Sequence, residues 1–334
     1  MLLTIENKGY FTDIVSRLYT DIEQKPLPLS LSPLPRRFNL LVRCLYSGSC
    51  LPRVSFSDDL PEIPDVENPD DILIGFSGGK DSTAVAVKAL QLGLKPTLGF
   101  VKGLNRAYPD ELTRAQQTAE KLNLPFVVFE THLKGKRAWV ENPIKNQLIL
   151  ALLVDHGLKF NICQHAQGNL YRDSNKAIDL DMGLSDTIEM YDVAAAVYGS
   201  YIKNFKLFST MLKNGTDSFL TIFNYNPNLF EHLSSCMMPY MYKKSMRERI
   251  TKKFNVELLD GRCGCCYKCA DEFLHFTLFG LVPFNEPYII YLQKYLKKDV
   301  SSYKDDKRHL KGKELLYHFV DKNRIDPTPL EALF

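Results

Sequence analysis

A glycine-containing run at residues 76–82, Phe-Ser-Gly-Gly-Lys-Asp-Ser, has the residue types needed to bind a phosphate group. Gly78 and Gly79 tolerate positive φ and let backbone N–H groups approach an anion closely. Asp81 directly follows Lys80, and a carboxylate beside phosphates indicates a bridging divalent cation. The residues that we expect to contact the phosphates or their cation are Ser77, Gly78, Gly79, Lys80, Asp81 and Ser82.

The run differs from a Walker A loop, which has four residues between its glycines and Ser or Thr directly after its lysine. The simplest alternative is a glycine turn between a strand and a helix that binds no ligand. The flanking pattern favours the phosphate site, because a helix that starts near Ser82 points its positive dipole end at the run. We therefore expect catalytic roles for Lys80, Asp81 and Ser82.

A second candidate site is a group of cysteines near the end of the chain. Cys263, Cys266 and Cys269 follow a C-x2-C-x2-C pattern, which can wrap one tetrahedral zinc ion. Cys236 is our choice for the fourth ligand. Weaker candidates for that position are His232 and His275. The alternatives to structural zinc are core thiols, a redox pair, or a cysteine relay for sulfur transfer in which Cys265 takes part.

Alternating strands and helices are predicted from residue 71 to about residue 200, and they must position the phosphate-binding run. The predicted strands are 72–76, 95–101, 126–129 and 160–163. The predicted helices are 82–92, 110–122 and 143–154. This alternation predicts an α/β fold with a doubly wound parallel sheet. Ligands in such sheets bind beyond the carboxyl ends of the strands, where the phosphate-binding run lies.

A polar run after the fourth predicted strand should lie at the same edge of the sheet. The substrate-binding candidates there are His165, Asn169, Arg172 and Asp173. Asp186 is either the N-cap of the next helix or a further substrate contact. Phe100 and Gly168 are candidates for nucleotide contacts, since Gly168 allows a close approach. The alternative for the whole run is ordinary loop polarity.

The composition is that of a globular protein, with 334 residues, 45% hydrophobic residues and a net charge of +3. We expect three regions: an N-terminal extension at 1–70, a nucleotide-binding domain at 71–200, and a zinc-binding, mostly helical region at 201–334. The longest strongly apolar run, residues 148–154, is too short to span a membrane. Cysteines crowded into one short run suit a metal site in a reducing compartment, so a cytoplasmic location is expected.

The run Ser-Gly-Gly-x-Asp-Ser after an apolar strand resembles the pyrophosphate-binding loop of the PP-loop ATP pyrophosphatases, which are adenine nucleotide alpha hydrolase-like proteins. The resemblance covers about residues 71–200. It implies that ATP, with Mg²⁺, is cleaved to AMP and pyrophosphate when a substrate oxygen attacks the α-phosphate. That chemistry depends on positioning and charge neutralisation more than on a protein nucleophile.

The loop together with the later cysteines resembles the 7-cyano-7-deazaguanine synthase (QueC) family. The resemblance rests on Ser-Cys236 followed by Cys-Gly-x-Cys-x-x-Cys at Cys263–Cys269. It implies conversion of a 7-carboxy-7-deazaguanine and ammonia to an amide or nitrile. It also implies structural zinc on Cys236, Cys263, Cys266 and Cys269. A homodimer is a further possible partner arrangement for this chain.

The sequence departs from that family in three places, which leaves the acceptor open. Residues 1–70 are additional, the gap between Cys236 and Cys263 is long, and Gln164–Asp173 matches poorly. A protein or a tRNA is therefore an alternative acceptor. Basic runs at residues 243–253 and 294–313 fit either solvated surfaces or a tRNA-modifying enzyme. A non-enzymatic, nucleotide-sensing module is a third interpretation.

Overall fold

The computed structural model describes most of the chain, in ranges separated by gaps. The described residues are 3–6, 9, 11–16, 30–38, 40–42, 53–57, 70–102, 111–130, 145–160, 162–167, 188–208, 212, 215–233, 236, 240–296, 312–323 and 325–334. They form two compact units, the first ending at Pro227 and the second beginning at Asn228. None of the described helices combines the length and apolar character that a membrane crossing requires.

The first unit is built on a six-stranded sheet in which every neighbouring pair of strands is parallel. Its strands are β1 (Leu3–Glu6), β4 (Asp71–Gly75), β5 (Lys95–Lys102), β6 (Phe126–Glu130), β7 (Gln164–Gln167) and β8 (Lys206–Phe208). Their order across the sheet is β1-β6-β5-β4-β7-β8. Two more strands, β2 (Ser30–Pro35) and β3 (Arg53–Ser57), pair with each other in a separate parallel sheet.

Helices connect the successive strands of this sheet. The helices of the first unit are α1 (Lys80–Gln91), α2 (Glu111–Lys121), α3 (Lys145–Lys159), α4 (Ile188–Gly199) and α5 (Gly215–Tyr225). The chain moves from β4 through β5 to β6 in one direction and then adds β7 and β8 on the other side of β4. Right-handed crossovers therefore place α1 and α2 on one face and α3 and α4 on the other. The predicted doubly wound parallel α/β fold is confirmed.

Several described parts of the N-terminal segment belong to the sheet or the core of the first unit. β1 pairs with β6 at one edge of the sheet. A short helical segment at residues 11–16 packs Phe11 and Ile14 into the same apolar cluster as α3 and α4. The Asp155 carboxylate of α3 accepts hydrogen bonds from the backbone N–H groups of Phe11, at 3.0 Å, and Thr12, at 2.6 Å. It thus satisfies donors that the start of a helix leaves open.

The boundary between α3 and the following strand differs from the prediction. The expected helix ended at residue 154 and the expected strand covered residues 160–163, whereas α3 continues to Lys159 and β7 spans Gln164–Gln167. Asp155 and His156, the polar residues that directly follow Val154, remain helical because the tertiary structure buries them. The His156 ring packs 4.9 Å from the Phe129 ring and 4.6 Å from the Phe160 ring, measured between centroids. The predicted fourth strand was therefore wrong by four residues.

The second unit is helical in its described residues, as expected for the C-terminal region. Its helices are α6 (Tyr240–Phe254), α7 (Tyr267–Leu278), α8 (Glu286–Leu296), α9 (Gly312–Asn323) and α10 (Thr328–Glu331). Short 3-10 turns also occur at Arg36–Phe38 in the first unit and at Pro227–Glu231, where the chain passes from the first unit to the second. The core of the second unit includes Phe273 and Tyr288, whose rings meet edge to face at 4.6 Å. Four cysteines are part of this core: Cys236, Cys263, Cys265 and Cys269.

Candidate functional site

The candidate phosphate-binding loop joins β4 to α1 at the carboxyl edge of the sheet. Phe76 donates its backbone N–H to the carbonyl of Gly99 at 2.8 Å, which anchors the loop to the neighbouring strand β5. α1 begins at Lys80, two residues earlier than predicted, so Lys80, Asp81 and Ser82 form its first turn. The N–H groups of that turn have no partners within the helix and carry its positive dipole end. This is a geometry that suits an anion.

Gly78 is the residue of the loop that the backbone requires to be glycine. Its φ is +72°, in the left-handed region that side chains disfavour. A Cβ atom at this position would lie 2.6 Å from the Cα atom of Ala115 in α2. Glycine therefore lets the loop lie directly against α2.

The two serines of the loop bond within the loop itself. The Ser82 hydroxyl donates to the Gly79 carbonyl at 3.1 Å and accepts from the Ser77 N–H at 3.3 Å. The Ser77 hydroxyl accepts from the Gly79 N–H at 3.3 Å. Because Ser82 is almost completely buried, its observed role is to hold the loop in shape. Its predicted contact with the phosphates stays a prediction.

Lys80 and Asp81 are the charged groups of the loop. The Lys80 ammonium donates to the carbonyl of Gly215, the first residue of α5, at 3.2 Å. The Asp81 Oδ1 atom is buried and has no hydrogen-bond partner among the described residues. A buried carboxylate oxygen is costly unless a donor or a cation compensates it. Mg²⁺ prefers carboxylate oxygens as protein ligands, so this site fits the cation that the loop was predicted to hold.

The structure brings the four predicted metal ligands together in the second unit. The Sγ atoms of Cys236, Cys263, Cys266 and Cys269 all lie within 4.8 Å of one another. Two of the separations are 3.9 Å, between Cys263 and Cys269, and 4.0 Å, between Cys236 and Cys266. A tetrahedron of thiolates around zinc, with bonds of about 2.3 Å, has edges of about 3.8 Å. The group can therefore hold a metal ion.

The local backbone explains how the later three cysteines converge. Gly264 has a φ of +71°, and its carbonyl accepts a hydrogen bond from the Tyr288 hydroxyl at 2.7 Å. Cys266 is the N-cap of α7 and Cys269 lies in its first turn, so the positive end of that helix faces the thiols. A helix N-terminus favours the thiolate form that binds metal.

The remaining cysteine of this run, Cys265, does not join the four-sulfur group. Its N–H donates to the Cys263 sulfur at 3.4 Å, and its own sulfur lies 3.8 Å from that atom. Only 3% of Cys265 is exposed. Reactive cysteines are at least partly exposed, so its burial disfavours the sulfur-transfer relay.

A buried arginine lies directly beside the cysteine group. Arg262 and Glu272 are each 3% exposed and form a two-bond ion pair, with Nε to Oε2 at 2.8 Å and Nη2 to Oε1 at 3.0 Å. Burial disfavours the charged guanidinium. The carboxylate of Glu272 and the thiolates of Cys269 and Cys236 outweigh that effect and raise the pKa of Arg262. Positive charge at this point offsets the negative charge that four thiolates would bring.

The predicted substrate and nucleotide residues fall into two groups. His165 lies inside β7 instead of the loop after it, is 1% exposed, and stacks on the Phe205 ring at 5.3 Å. Burial lowers the pKa of His165 to about 3, and it is a core residue here. Phe100 is 6% exposed and packs 6.3 Å from the Phe126 ring. The candidates that lie outside the described residues are Gly168, Asn169, Arg172, Asp173 and Asp186.

Several contacts of both sites come from residues that the sequence analysis did not select. Ala115 supports the loop and Gly215 binds Lys80, but neither belongs to a recognisable motif. Arg262 and Glu272 did carry a weak signal. Arg262 directly precedes Cys263. Glu272 follows Cys269 by three residues, which places Cys269 and Glu272 on one face of α7.

No protein-family model matches this chain, and no curated protein matches it. Solved structures do show similarity. A predicted tRNA methyltransferase subunit from Methanocaldococcus jannaschii has 19% identity and a TM-score of 0.28, covering 45% of this chain and 73% of its own. The U34-tRNA thiolase NcsA from Methanococcus maripaludis, with its 4Fe-4S cluster, has 16% identity and a TM-score of 0.35, covering 56% and 68%. The NH3-dependent NAD synthetase from Campylobacter jejuni has 16% identity and a TM-score of 0.30, covering 72% and 89%.

At these identities and TM-scores the similarities carry no argument about activity.

Proposed function

We propose that this protein is an ATP pyrophosphatase-type enzyme that adenylates a substrate oxygen. The substrate oxygen forms a bond to the α-phosphorus while the bond to the bridging oxygen breaks, and pyrophosphate leaves with the electron pair. One observation carries the proposal. A left-handed glycine packed against α2, the N-terminus of α1, and an Asp81 oxygen with no hydrogen-bond partner in the described part of the chain all belong to one short loop.

The charged residues of the loop would have distinct roles in this reaction. The first-turn N–H groups and the Lys80 ammonium would bind the phosphate oxygens. An ammonium has three donors, so Lys80 can keep its bond to the Gly215 carbonyl while it contacts a phosphate. Asp81 would hold Mg²⁺, which neutralises charge on the triphosphate. Ser77 and Ser82 would keep the N–H groups aligned through the bonds inside the loop.

We propose a 7-carboxy-7-deazaguanine, or a molecule that carries such a group, as the acceptor, with ammonia as the nitrogen donor. The support is the cysteine group. Four cysteines in the order of the QueC family come together despite the long gap between Cys236 and Cys263. The separations fit one zinc ion better than a four-iron cluster, whose irons each need a separate thiolate and therefore a wider spacing. The zinc would be structural, because all four of its positions would be filled by protein.

A tRNA acceptor is the second candidate, and the surface of α6 favours it. Lys243 is buried and Arg247 pairs with Asp260 at 2.6 Å, so these two residues of the basic run are already engaged. The exposed basic residues of α6 are Lys244, Arg249, Lys252 and Lys253. Basic side chains on one helix surface can neutralise the phosphates of a nucleic acid.

Product analysis tests the reaction class. We expect ATP and Mg²⁺ with 7-carboxy-7-deazaguanine and ammonium to give AMP, pyrophosphate and an amide or nitrile. AMP release only when RNA is added would move the acceptor to tRNA and keep the adenylation chemistry. ADP and phosphate as products would refute the pyrophosphatase assignment.

Variants of α1 test the site. Lys80→Ala and Asp81→Asn should each lower pyrophosphate release by about 10²–10³-fold, since each removes a charge that stabilises the transition state. Lys88→Ala is the matched control, because Lys88 lies in the last turn of the same helix. Equal effects of Lys80→Ala and Lys88→Ala would contradict the assignment.

Salt dependence tests the tRNA alternative. If α6 binds the backbone of tRNA, the double variant Lys252→Gln/Lys253→Gln should lower the slope of log affinity against log salt by about 2. Lys121→Gln, an exposed lysine of α2 in the first unit, should leave the slope unchanged. An unchanged slope in the α6 variant would remove this support.

A further inference from the structure

Arg262 makes contacts that link separate parts of the second unit. Its guanidinium donates from Nη1 to the Leu233 carbonyl at 2.7 Å and from Nη2 to the Phe230 carbonyl at 3.0 Å. The same group binds the Glu272 carboxylate through two further bonds. Nη1 also lies 3.3 Å from the Asp260 carbonyl, which closes the turn before the cysteines. All of these bonds are shielded from water or nearly so.

The partners of Arg262 belong to the segments that carry the four cysteines. The Leu233 carbonyl is three residues before Cys236, the ligand that is most distant in sequence from the others. Arg262 itself precedes Cys263. Glu272 lies in α7, three residues after Cys269 and therefore on the same face of that helix. One side chain thus bonds to every described segment that supplies a thiol to the group.

We propose that Arg262 is a positioning residue for the metal site, which holds the Cys236 segment against the turn and helix that carry the other three ligands. This inference rests on the cysteine group as a metal site and does not depend on the ATP reaction. A positioning role has a clear physical basis. Cys263, Cys266 and Cys269 lie on one turn and one helix start, which order them locally. Cys236 approaches from a different part of the chain and needs a long-range restraint.

Arginine suits this role because its planar group offers five donors in a fixed arrangement. The guanidinium donates to the Glu272 carboxylate and to three backbone carbonyls, those of Phe230, Leu233 and Asp260. Lysine could pair with the carboxylate but could not reproduce this directional set. The carboxylate of Glu272 in turn orients the buried guanidinium and neutralises its charge.

The test must separate positioning from general stability, because Arg262→Met alone leaves the Glu272 charge buried without a partner. The double variant Arg262→Met/Glu272→Leu replaces the ion pair with apolar side chains of similar size, and such replacements are often tolerated. It still removes the donors to the Phe230 and Leu233 carbonyls. Arg247→Met is the matched control, since Arg247 also binds a carboxylate and a backbone carbonyl in this unit.

The first measurement is the alkylation rate of each cysteine in the metal-free full chain, followed by mass spectrometry. In the double variant we expect Cys236 to react about tenfold faster or more than in the wild type, because local opening exposes it. Cys263 and Cys265 should react at the wild-type rate. An unchanged rate at Cys236 would overturn the proposal. A uniform rise at all cysteines would also overturn it, because the arginine would then only stabilise the unit.

The second measurement is Co²⁺ binding, read from the absorption that thiolate ligands produce. We expect the double variant to bind Co²⁺ about 10–100-fold more weakly, the usual effect of losing a residue that orients a ligand. The absorption spectrum of its Co²⁺ complex should indicate fewer thiolate ligands than that of the wild type. Arg247→Met should match the wild type in both affinity and spectrum. Wild-type Co²⁺ affinity in the double variant would count decisively against a positioning role.

Discussion

The close approach of Gly78 to α2 leads to a sharp prediction about two glycines at opposite ends of α1. Gly78 and Gly93 both have left-handed backbones, with φ values of +72° and +76°. They differ in their surroundings. A Cβ atom at Gly78 would lie 2.6 Å from the Ala115 Cα, 2.8 Å from its Cβ and 2.9 Å from its backbone nitrogen, whereas a Cβ at Gly93 would meet nothing within 4 Å.

The expected magnitudes follow from these distances. In both Gly78→Ala and Gly93→Ala the left-handed conformation costs about 1–2 kcal/mol. In both variants, alanine also lowers the conformational entropy of the unfolded chain, which offsets about 0.4–1 kcal/mol of that cost. Only Gly78→Ala must also displace α2 backbone, and overpacking of this kind costs about 1–3 kcal/mol. We therefore expect Gly78→Ala to be more destabilising than Gly93→Ala by about 1–3 kcal/mol, and to lose ATP binding because the loop moves.

Native-state hydrogen exchange of the central α1 amides is the appropriate assay. It reports the opening free energy of the first unit without assuming that both units unfold together. Binding of ATP is measured on the same samples. Ala115→Gly provides a further check. It removes the Ala115 Cβ but leaves the Cα and nitrogen in place, so it should not rescue Gly78→Ala.

Two outcomes would refute this reasoning. Equal destabilisation by Gly78→Ala and Gly93→Ala would mean that the loop does not lie against α2. Full rescue by Ala115→Gly would mean that the contact involves only the end of a side chain. Preserved ATP binding in Gly78→Ala would separately contradict the assignment of the loop.

His165, Asp155 and the cysteine group each lead to a further prediction. Burial lowers the pKa of His165 to about 3, so the folded protein favours the neutral imidazole. The resulting stabilisation is fully present above about pH 6.5 and is lost as the pH falls toward 3. His165→Asn should therefore flatten the plot of unfolding free energy against pH in this range. Asp155→Ala should cost at least about 0.5–2 kcal/mol and speed exchange at the Phe11 and Thr12 amides, since the carboxylate binds both N–H groups. Removing metal with a strong chelator, or the change Cys266→Ser, should lower the melting temperature of the second unit and leave exchange in α1 unchanged. Wild-type behaviour in one of these measurements would contradict the role given to His165, to Asp155 or to the cysteine group, respectively.

The two candidate sites could be found in the sequence because each depends mainly on neighbouring residues. The phosphate-binding loop is a short run between a strand and a helix, and its glycines, serines and charges lie within residues 76–82. Three of the four cysteines lie close together in sequence, on one turn and the start of the helix that follows it. The parallel α/β class was also predictable, since alternating apolar patterns for strands and helices are local features.

The strand that follows α3 could not be located in this way. Asp155 and His156 look like the end of a helix in the sequence, but they are buried by contacts with residues far away in the chain. Once α3 continues past them, the next strand starts later and His165 becomes a core residue. The pairing of β1 with β6 depends equally on distant residues, because a short strand carries no sequence signal for its partner.

The residue types of both sites, and the parallel α/β class of the first unit, could be read from the amino-acid sequence. The residues that support those sites are fixed by packing between distant parts of the chain. Ala115 against Gly78, Gly215 on Lys80, and Arg262 between the cysteine segments are contacts between residues well separated in the chain. The physical reason is that such contacts arise when several elements pack together, and their geometry is absent from any local pattern.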